Sequence, residues 1–298
     1  MAQTKHQIEA LLARANSRPR HQFGQNFMID QNLVRAVADA GQLGPEDCAI
    51  EVGPGTGTLT EELLERAGQV VVVEIDRDLA ALLRTNYADR SHFSLIEGDA
   101  LAGKHSLSAD LLTAIRAAKD AGRRVKLVAN LPYNIASPLV IEMLIAGVEL
   151  LAFTVQKEVG LRIAGQPGTE DYGPLTVMVQ MLSRAEILRT LPPQAFWPPP
   201  KIDSALVRLT RDDRLGDEAG PFGKFVHTLF SFRRKTLRRG LLQSGFDADA
   251  VLKSCDIDGQ NRAEQFSPEV FLEMFNAIEE GRRIHHGGTE DMEGRSKA

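Results

Sequence analysis

The sequence predicts an α/β protein: a seven-stranded, mostly parallel sheet covered on both faces, followed by a small all-helical domain. Three observations carry that prediction. Short apolar or β-branched runs recur at 48–52, 70–74, 93–96, 125–129, 150–156, 185–190 and 204–210. Stretches with apolar residues at helical spacing separate the early runs, the pattern of strands joined by crossover helices. Beyond about residue 211 the strand-like runs stop and only helical spacing remains.

Taken in order, Asp30 is placed to cap a helix whose apolar face is Leu33, Val34, Val37 and Ala38, with Gly41 closing it. Helical patterns follow the first two runs at Thr58–Ala67 and Asp78–Tyr87, and Leu111–Ala121 precedes the fourth. Ser137-Pro138 reads as an N-cap with a first-turn proline, opening a helix that runs to Ala146 with Gly147 behind it. The last strands lack regular crossovers, so an antiparallel edge is expected. Asp212–Gly220 is polar and reads as a linker. Phe222, Phe225, Val226, Leu229 and Phe230 then share a helix face, and Ser267-Pro268 opens a helix carrying Phe271, Phe275 and Ile278 and ending at Gly281. The expected division is 1–211, with residues 1–20 a flexible basic segment, then 212–282, then a disordered tail from 283 to 298. His285-His286 in that tail reads as solvated chain, and no metal is expected.

With 298 residues, the chain has room for one sizeable core and a smaller second domain. Hydrophobic content of 43% and charged content of 25% are those of a globular protein, and no apolar run approaches the ~20 residues of a membrane helix. The start, Met1-Ala2-Gln3-Thr4-Lys5, lacks the apolar core of a secretory signal. Two isolated cysteines, Cys48 and Cys255, form no ligand or disulfide pattern and point to a reducing cytoplasm. No dimer seam is visible, so a monomer is expected. The net charge of −5 conceals segregation: Gly220–Phe246 holds six basic residues and no acid, and Met1–Ile29 holds four against Glu9 alone. Arg234 with Arg238, and Lys235 with Arg239, are four apart and would share a helix face; with Arg233 they are expected to bind phosphates. Arg14–His21 is a second expected contact of the same kind.

The first strand runs into Glu51-Val52-Gly53-Pro54-Gly55-Thr56-Gly57 and then a helix. Glycines there admit a ligand close to the backbone, at the strand edge where ligands of open α/β sheets bind. Val70–Val73 ends on Glu74, 19 residues beyond Gly55, where a carboxylate can accept both ribose hydroxyls. The dinucleotide fingerprint needs a glycine at position 58, and Thr58 stands there. The pattern instead resembles class I S-adenosylmethionine-dependent methyltransferases. Asp99, after the third strand, can then accept from the adenine amine.

Asn130-Leu131-Pro132-Tyr133 closes the fourth strand. An exocyclic amine such as adenine N6 is a poor nucleophile because its lone pair is delocalised. Two acceptors, the Asn130 side-chain oxygen and the Leu131 carbonyl, would hold its hydrogens and stabilise the charge developing on attack. Pro132 fixes the backbone, and Tyr133 offers a ring face for stacking, worth about 1–3 kcal/mol.

This pattern resembles the N-[LI]-P-[YF] motif of amino-methyltransferases. Together with Gln22-Phe23-Gly24-Gln25-Asn26-Phe27, Gln156-Lys157-Glu158, Tyr172-Gly173-Pro174-Leu175, Phe196–Ser204, Phe230–Lys235 and Arg262–Gln265, it resembles the ribosomal RNA adenine N6-dimethyltransferases over residues 18 to 281. The resemblance implies a Rossmann-like methyltransferase sheet, S-adenosyl-L-methionine as cofactor, and dimethylation of two adjacent adenosines near the 3′ end of 16S rRNA in the immature 30S subunit. It implies Asn26 and Met28 at the cofactor's methionine end, Gly53 in the loop, Glu74 on the ribose, Asp99 on the adenine and Asn130 at the reacting centre. The nearest rival is the large-subunit enzyme class that confers macrolide resistance; a fold-retaining assembly factor without chemistry is the non-enzymatic alternative. The stretch from Asp99 to Asn130, with Arg123-Arg124, is longer than the family's and reads as an extended crossover.

Overall fold

The computed structural model describes residues 3–20, 24–103 and 106–290, with side chains through Arg282. Strands β2 (Asp47–Val52), β3 (Gln69–Glu74), β4 (Phe93–Glu97), β5 (Arg124–Asn130), β6 (Leu150–Gln156), β7 (Ser183–Leu191) and β9 (Ser204–Arg211) form one sheet in the order β4-β3-β2-β5-β6-β9-β7. The pairs among β4, β3, β2, β5 and β6 are parallel; β9 runs antiparallel to both of its neighbours. The antiparallel strand is therefore inserted one place in from the edge, and β7 is the edge. All seven predicted runs are strands. Val70–Val73 and Ala49–Val52 are buried without alternation, because helices cover both sheet faces.

Helix α2 (Gln31–Ala40) is capped as expected: Asp30 Oδ1 accepts from the backbone N–H of Asn32 at 2.8 Å and of Leu33 at 3.2 Å. Helices α3 (Thr58–Leu64), α4 (Arg77–Asn86), α5 (Ala109–Asp120) and α6 (Ala136–Ile145) follow their strands. Ser137 does not cap α6; Ile135 occupies that place, and Ser137-Pro138 lie inside the first turn, where a missing N–H costs nothing. At the amino end of β2, buried Asp47 accepts from Lys126 Nζ (2.8 Å), Arg124 Nε (2.8 Å) and Gly44 N (2.7 Å). Burial works against the ionised form of Asp47, but these donors hold its pKa below the usual value. Arg123 donates to the Pro45 carbonyl at 3.1 Å, so both arginines of the long crossover tie it to the sheet.

Three expectations are corrected. From Gln3 onward the amino-terminal segment is folded: α1 (Lys5–Arg14) carries a capping box between Thr4 and Gln7, and its Ile8 and Leu12 are buried against Phe27, Leu79 and Leu82. Arg20 pairs with Asp76 (2.9 Å) and Asp78 (2.6 Å) within the protein, and His21 lies outside the described residues. The second unit does not begin at 212. The chain divides into Met1–Ala164 with Leu182–Asp213, and Gly165–Met181 with Arg214–Ala298. The inserted segment belongs there because Tyr172 meets the Phe230 ring at 6.2 Å and its hydroxyl donates to the Phe266 carbonyl at 2.7 Å. Around them lies an aromatic core, with Phe222 edge-on to Phe275 and Phe230 stacked on Phe271. Finally, the last helix, α12 (Pro268–Glu290), continues through Gly281, so 283–290 is helical rather than disordered; residues 291–298 lie outside the described residues, as do the His285 and His286 side chains.

Candidate active site

The strand order reverses at β2, between β3 and β5, and a crevice opens at the carboxyl ends of these strands. The loop from β2 into α3 takes left-handed backbone at Gly53 (φ 71°), Gly55 (φ 61°) and Gly57 (φ 89°). Glu74, at the end of β3, is buried; its Oε2 accepts from Gly55 N at 3.2 Å and its Oε1 from Asp76 N at 2.9 Å. Glu51, also buried, accepts from Thr60 Oγ1 at 2.6 Å. Burial raises both carboxyls. Glu51 reaches about 8, despite the Thr60 bond and with the Glu74 charge adding to the rise; Glu74 reaches about 7, despite the Asp76 and Gly55 amides.

The crevice is an open cleft of about 620 Å³, counting its solvent-filled mouth. Asn26, Met28, Glu51, Gly53, Gly55, Glu74, Asn130 and Pro132 all line it, and none of its lining residues is basic. Two carboxyls, with no basic residue among the described lining residues, suit a positively charged ligand and oppose a pyrophosphate. S-adenosyl-L-methionine, with a sulfonium and an ammonium, fits this donor set.

A pH dependence follows. A cationic ligand binds the ionised carboxylates, so cofactor affinity should fall as pH drops from 7.5 to 6, approaching tenfold per pH unit for each group that must lose a proton. Stability of the free protein runs the other way. The folded pKa values lie above the ordinary 4.5, so the folded state holds more protons, and these groups destabilise it as pH rises from about 4.5 through 7–8. Cofactor titrations by calorimetry and thermal shifts at pH 6, 6.8 and 7.5 check both signs; a flat affinity would refute the electrostatic account.

Asn130 ends β5 in the wall of the same cleft. Its Nδ2 donates to the Asn26 carbonyl at 2.7 Å, and its Oδ1 accepts from the Thr154 hydroxyl. A carbonyl can only accept, so the Asn26 contact sets which end of the amide is nitrogen. Leu131 is buried and donates its N–H to the Thr154 carbonyl at 3.3 Å. Tyr133 is half-buried, its hydroxyl 2.8 Å from Ser204 Oγ, and burial raises its pKa although Ser204 opposes the rise. Leu131 and Tyr133 lie beside Pro132 and do not line the cleft themselves. Asp99 is exposed, two residues past β4, and accepts from Leu101 N at 2.9 Å; it too is outside the lining set.

Asn26 and Met28 reach the cleft because β1 (Phe27–Met28) pairs antiparallel with β8 (Phe196–Trp197), Phe27 stacking on Trp197 at 6.3 Å. Gln22 and Phe23 of the same motif lie outside the described residues. Sequence reasoning missed Thr154, which sits in an apolar strand, and Gln3. Gln3 is buried, donates to the Thr56 carbonyl at 3.1 Å and accepts from the Thr56 hydroxyl at 2.6 Å, holding the glycine loop. The Thr4-x-x-Gln7 capping pattern was the available signal.

The basic cluster departs from expectation. Helix α9 (Ala219–Ser231) ends before Arg233, Arg234 and Lys235, which form an exposed turn, and Thr236 caps a new helix, α10 (Leu237–Gln243), carrying Arg238 and Arg239. The four-residue pairs therefore share no helix face. All five side chains are exposed at a helix corner, and Arg238 pairs with Asp249 at 2.9 Å. Arg238 and Arg239 stand in a first turn, where the helix dipole disfavours cations, so capping does not explain them.

No helix among the described residues is long and apolar enough to cross a membrane. A family model for ribosomal RNA adenine dimethylase matches residues 16–280. Ribosomal RNA small subunit methyltransferase A of Moorella thermoacetica is 36% identical over 271 residues, covering 88% of this chain and 93% of that protein. Its counterpart from Saccharophagus degradans is 38% identical, covering 88% and 95%. Among solved structures, the 23S rRNA methyltransferase ErmE matches with TM-score 0.60 at 27% identity, over 85% of this chain and 100% of that one. A dimethyladenosine transferase from Plasmodium falciparum shares the fold at TM-score 0.64 and 22% identity, over 83% and 95%. A mostly parallel sheet with a glycine loop at its switch point, Asn130 and Pro132 of the Asn-Leu-Pro-Tyr strand end in the same cleft, and a match over nearly the whole length place this chain in the ribosomal RNA adenine dimethylase family.

Proposed function

We propose that this enzyme dimethylates N6 of two adjacent adenosines near the 3′ end of 16S rRNA, acting on the immature 30S subunit in the cytoplasm. The observation that carries the reading is the Asn130 amide in the wall of the cleft that also holds the glycine loop. Bound S-adenosyl-L-methionine supplies an electrophilic methyl whose sulfonium leaves as a neutral thioether. Asn26 and Met28 wall the methionine end, Gly53 and Gly55 let the backbone approach, Glu74 takes a ribose hydroxyl and Asp99 the adenine amine. Glu74 already accepts from the Asp76, Gly55 and Ile75 amides, which leaves one of its four acceptor positions for a ribose hydroxyl.

At the reacting centre, Asn130 Oδ1 and the Leu131 carbonyl accept the two hydrogens of the target amine, turning its lone pair toward the donor. Charge developing on nitrogen is stabilised by these oxygens, and the proton passes to water afterwards. Pro132 fixes the turn and Tyr133 stacks on the base, which must leave its own stack. Arg233, Arg234, Lys235, Arg238 and Arg239 contact phosphates without reading bases.

The names of the small-subunit relatives support 16S rRNA; the likeness to ErmE keeps 23S rRNA as the second reading. Incubation with methyl-labelled cofactor and either assembly-stage 30S particles or protein-free 23S rRNA separates them. Label is expected in 16S rRNA as dimethyladenosine; label confined to 23S rRNA would overturn the assignment.

A further inference from the structure

We propose that Thr154 is a positioning residue for methyl transfer: its hydroxyl clamps the oxygen end of the Asn130 amide and so aims the lone pair that receives the target amine. The inference rests on the reading of Asn130 as an acceptor. Thr154 lies in β6 directly opposite Asn130 in the β5–β6 register. It is fully buried between Phe153 and Val155, both also fully buried. Valine has the same branched shape and is the ordinary occupant of such a position, because a hydroxyl in an apolar layer is costly unless bonded. Here the hydroxyl is bonded, and its partner is Asn130 Oδ1.

The consequence is a two-point clamp. Asn26 holds Nδ2 and Thr154 holds Oδ1, so the amide plane is fixed about its last torsion. One of the two Oδ1 lone pairs is used by Thr154, leaving a single direction for the amine hydrogen. The Thr154 carbonyl also accepts from Leu131 N, so one residue steadies both the Asn130 side chain and the peptide bond that follows Asn130. Without the hydroxyl the amide would hang on the Asn26 bond alone and sample twisted orientations, and small misplacements of a reacting group lose rate rather than affinity.

Thr154→Val should lower kcat about tenfold, with KM for cofactor and RNA changed less than about twofold. Thr154→Ser, which keeps the donor, should recover most of the loss. In the free protein, exchange of the Asn130 side-chain amide protons, followed by NMR, should quicken in the Val variant and return in the Ser variant. In the Asn130→Ala background, Thr154→Val should cost nothing further. Wild-type kcat in Thr154→Val, failure of serine to rescue, or an undiminished loss on top of Asn130→Ala would each overturn the inference. Full activity of Asn130→Ala alone would instead sink the acceptor reading, so the two failures are distinguishable.

Discussion

Asn130→Ala is expected to lower the single-turnover rate of methyl transfer by about 10²–10³-fold, the usual cost of deleting one preorganised polar group at a reacting centre. Cofactor affinity should change by no more than a few-fold. The reason for the split lies in what the side chain touches. Its oxygen, which accepts from the Thr154 hydroxyl, is the group assigned to the target amine, whereas its nitrogen makes one bond to the Asn26 carbonyl. Alanine removes both, but the Asn26 segment remains held by the β1–β8 pairing and by the Phe27–Trp197 stack. The loss should therefore fall on the chemical step. Quench-flow with labelled cofactor measures the rate, and calorimetry measures binding. Turnover at the wild-type rate would remove Asn130 from the mechanism.

Some of this site was legible before any coordinates. Val70–Val73 could only be a strand buried on both faces, and an acid at its end beside a glycine turn had to lie at the sheet's switch point. Asn130 closes another such run and is placed at a strand end by its motif; that β5 lies beside β2 comes from the structure. What stayed hidden depended on contacts between residues distant in sequence. Gln3 has no local reason to be buried; it is so because Thr56 offers it a donor and an acceptor. Thr154 reads as one more β-branched residue in a strand, and only the facing strand reveals its partner. The spacing rule for Arg234 and Arg238 failed because Thr236 begins a new helix between them, a capping signal that the run of positive charge obscured. Gly165–Met181 sits between strands in sequence and was assigned with them; its Tyr172 finds its partners in Phe230 and Phe266, which lie far along the chain.

The second large effect is expected at Gly55, where replacement by valine should weaken cofactor binding at least about thirtyfold. Two costs combine. The backbone sits at φ 61°, which disfavours any side chain by about 1–2 kcal/mol. A Cβ there would also stand 2.8 Å from Phe27 Cε1. That ring has little freedom to retreat, being buried in a cluster with Ile8, Leu12 and Leu79 and stacked on Trp197. Overpacking of this kind costs about 1–3 kcal/mol, so the loop rather than the ring should yield. As the loop shifts, Gly55 N leaves Glu74 Oε2, and a buried carboxylate loses one of the amides that favour its ionised form. The same substitution thus distorts the cradle and reduces the negative charge that a cationic ligand needs. Gly220→Ala serves as the control, since a Cβ at that position of α9 meets nothing within 4 Å. It should leave cofactor binding untouched and stabilise by about 0.4–1 kcal/mol. Calorimetric titration of both variants, with the cofactor-induced rise in Tm as a second measure, decides the matter. Wild-type affinity in Gly55→Val would mean that the glycine turn does not form the floor of the cofactor site.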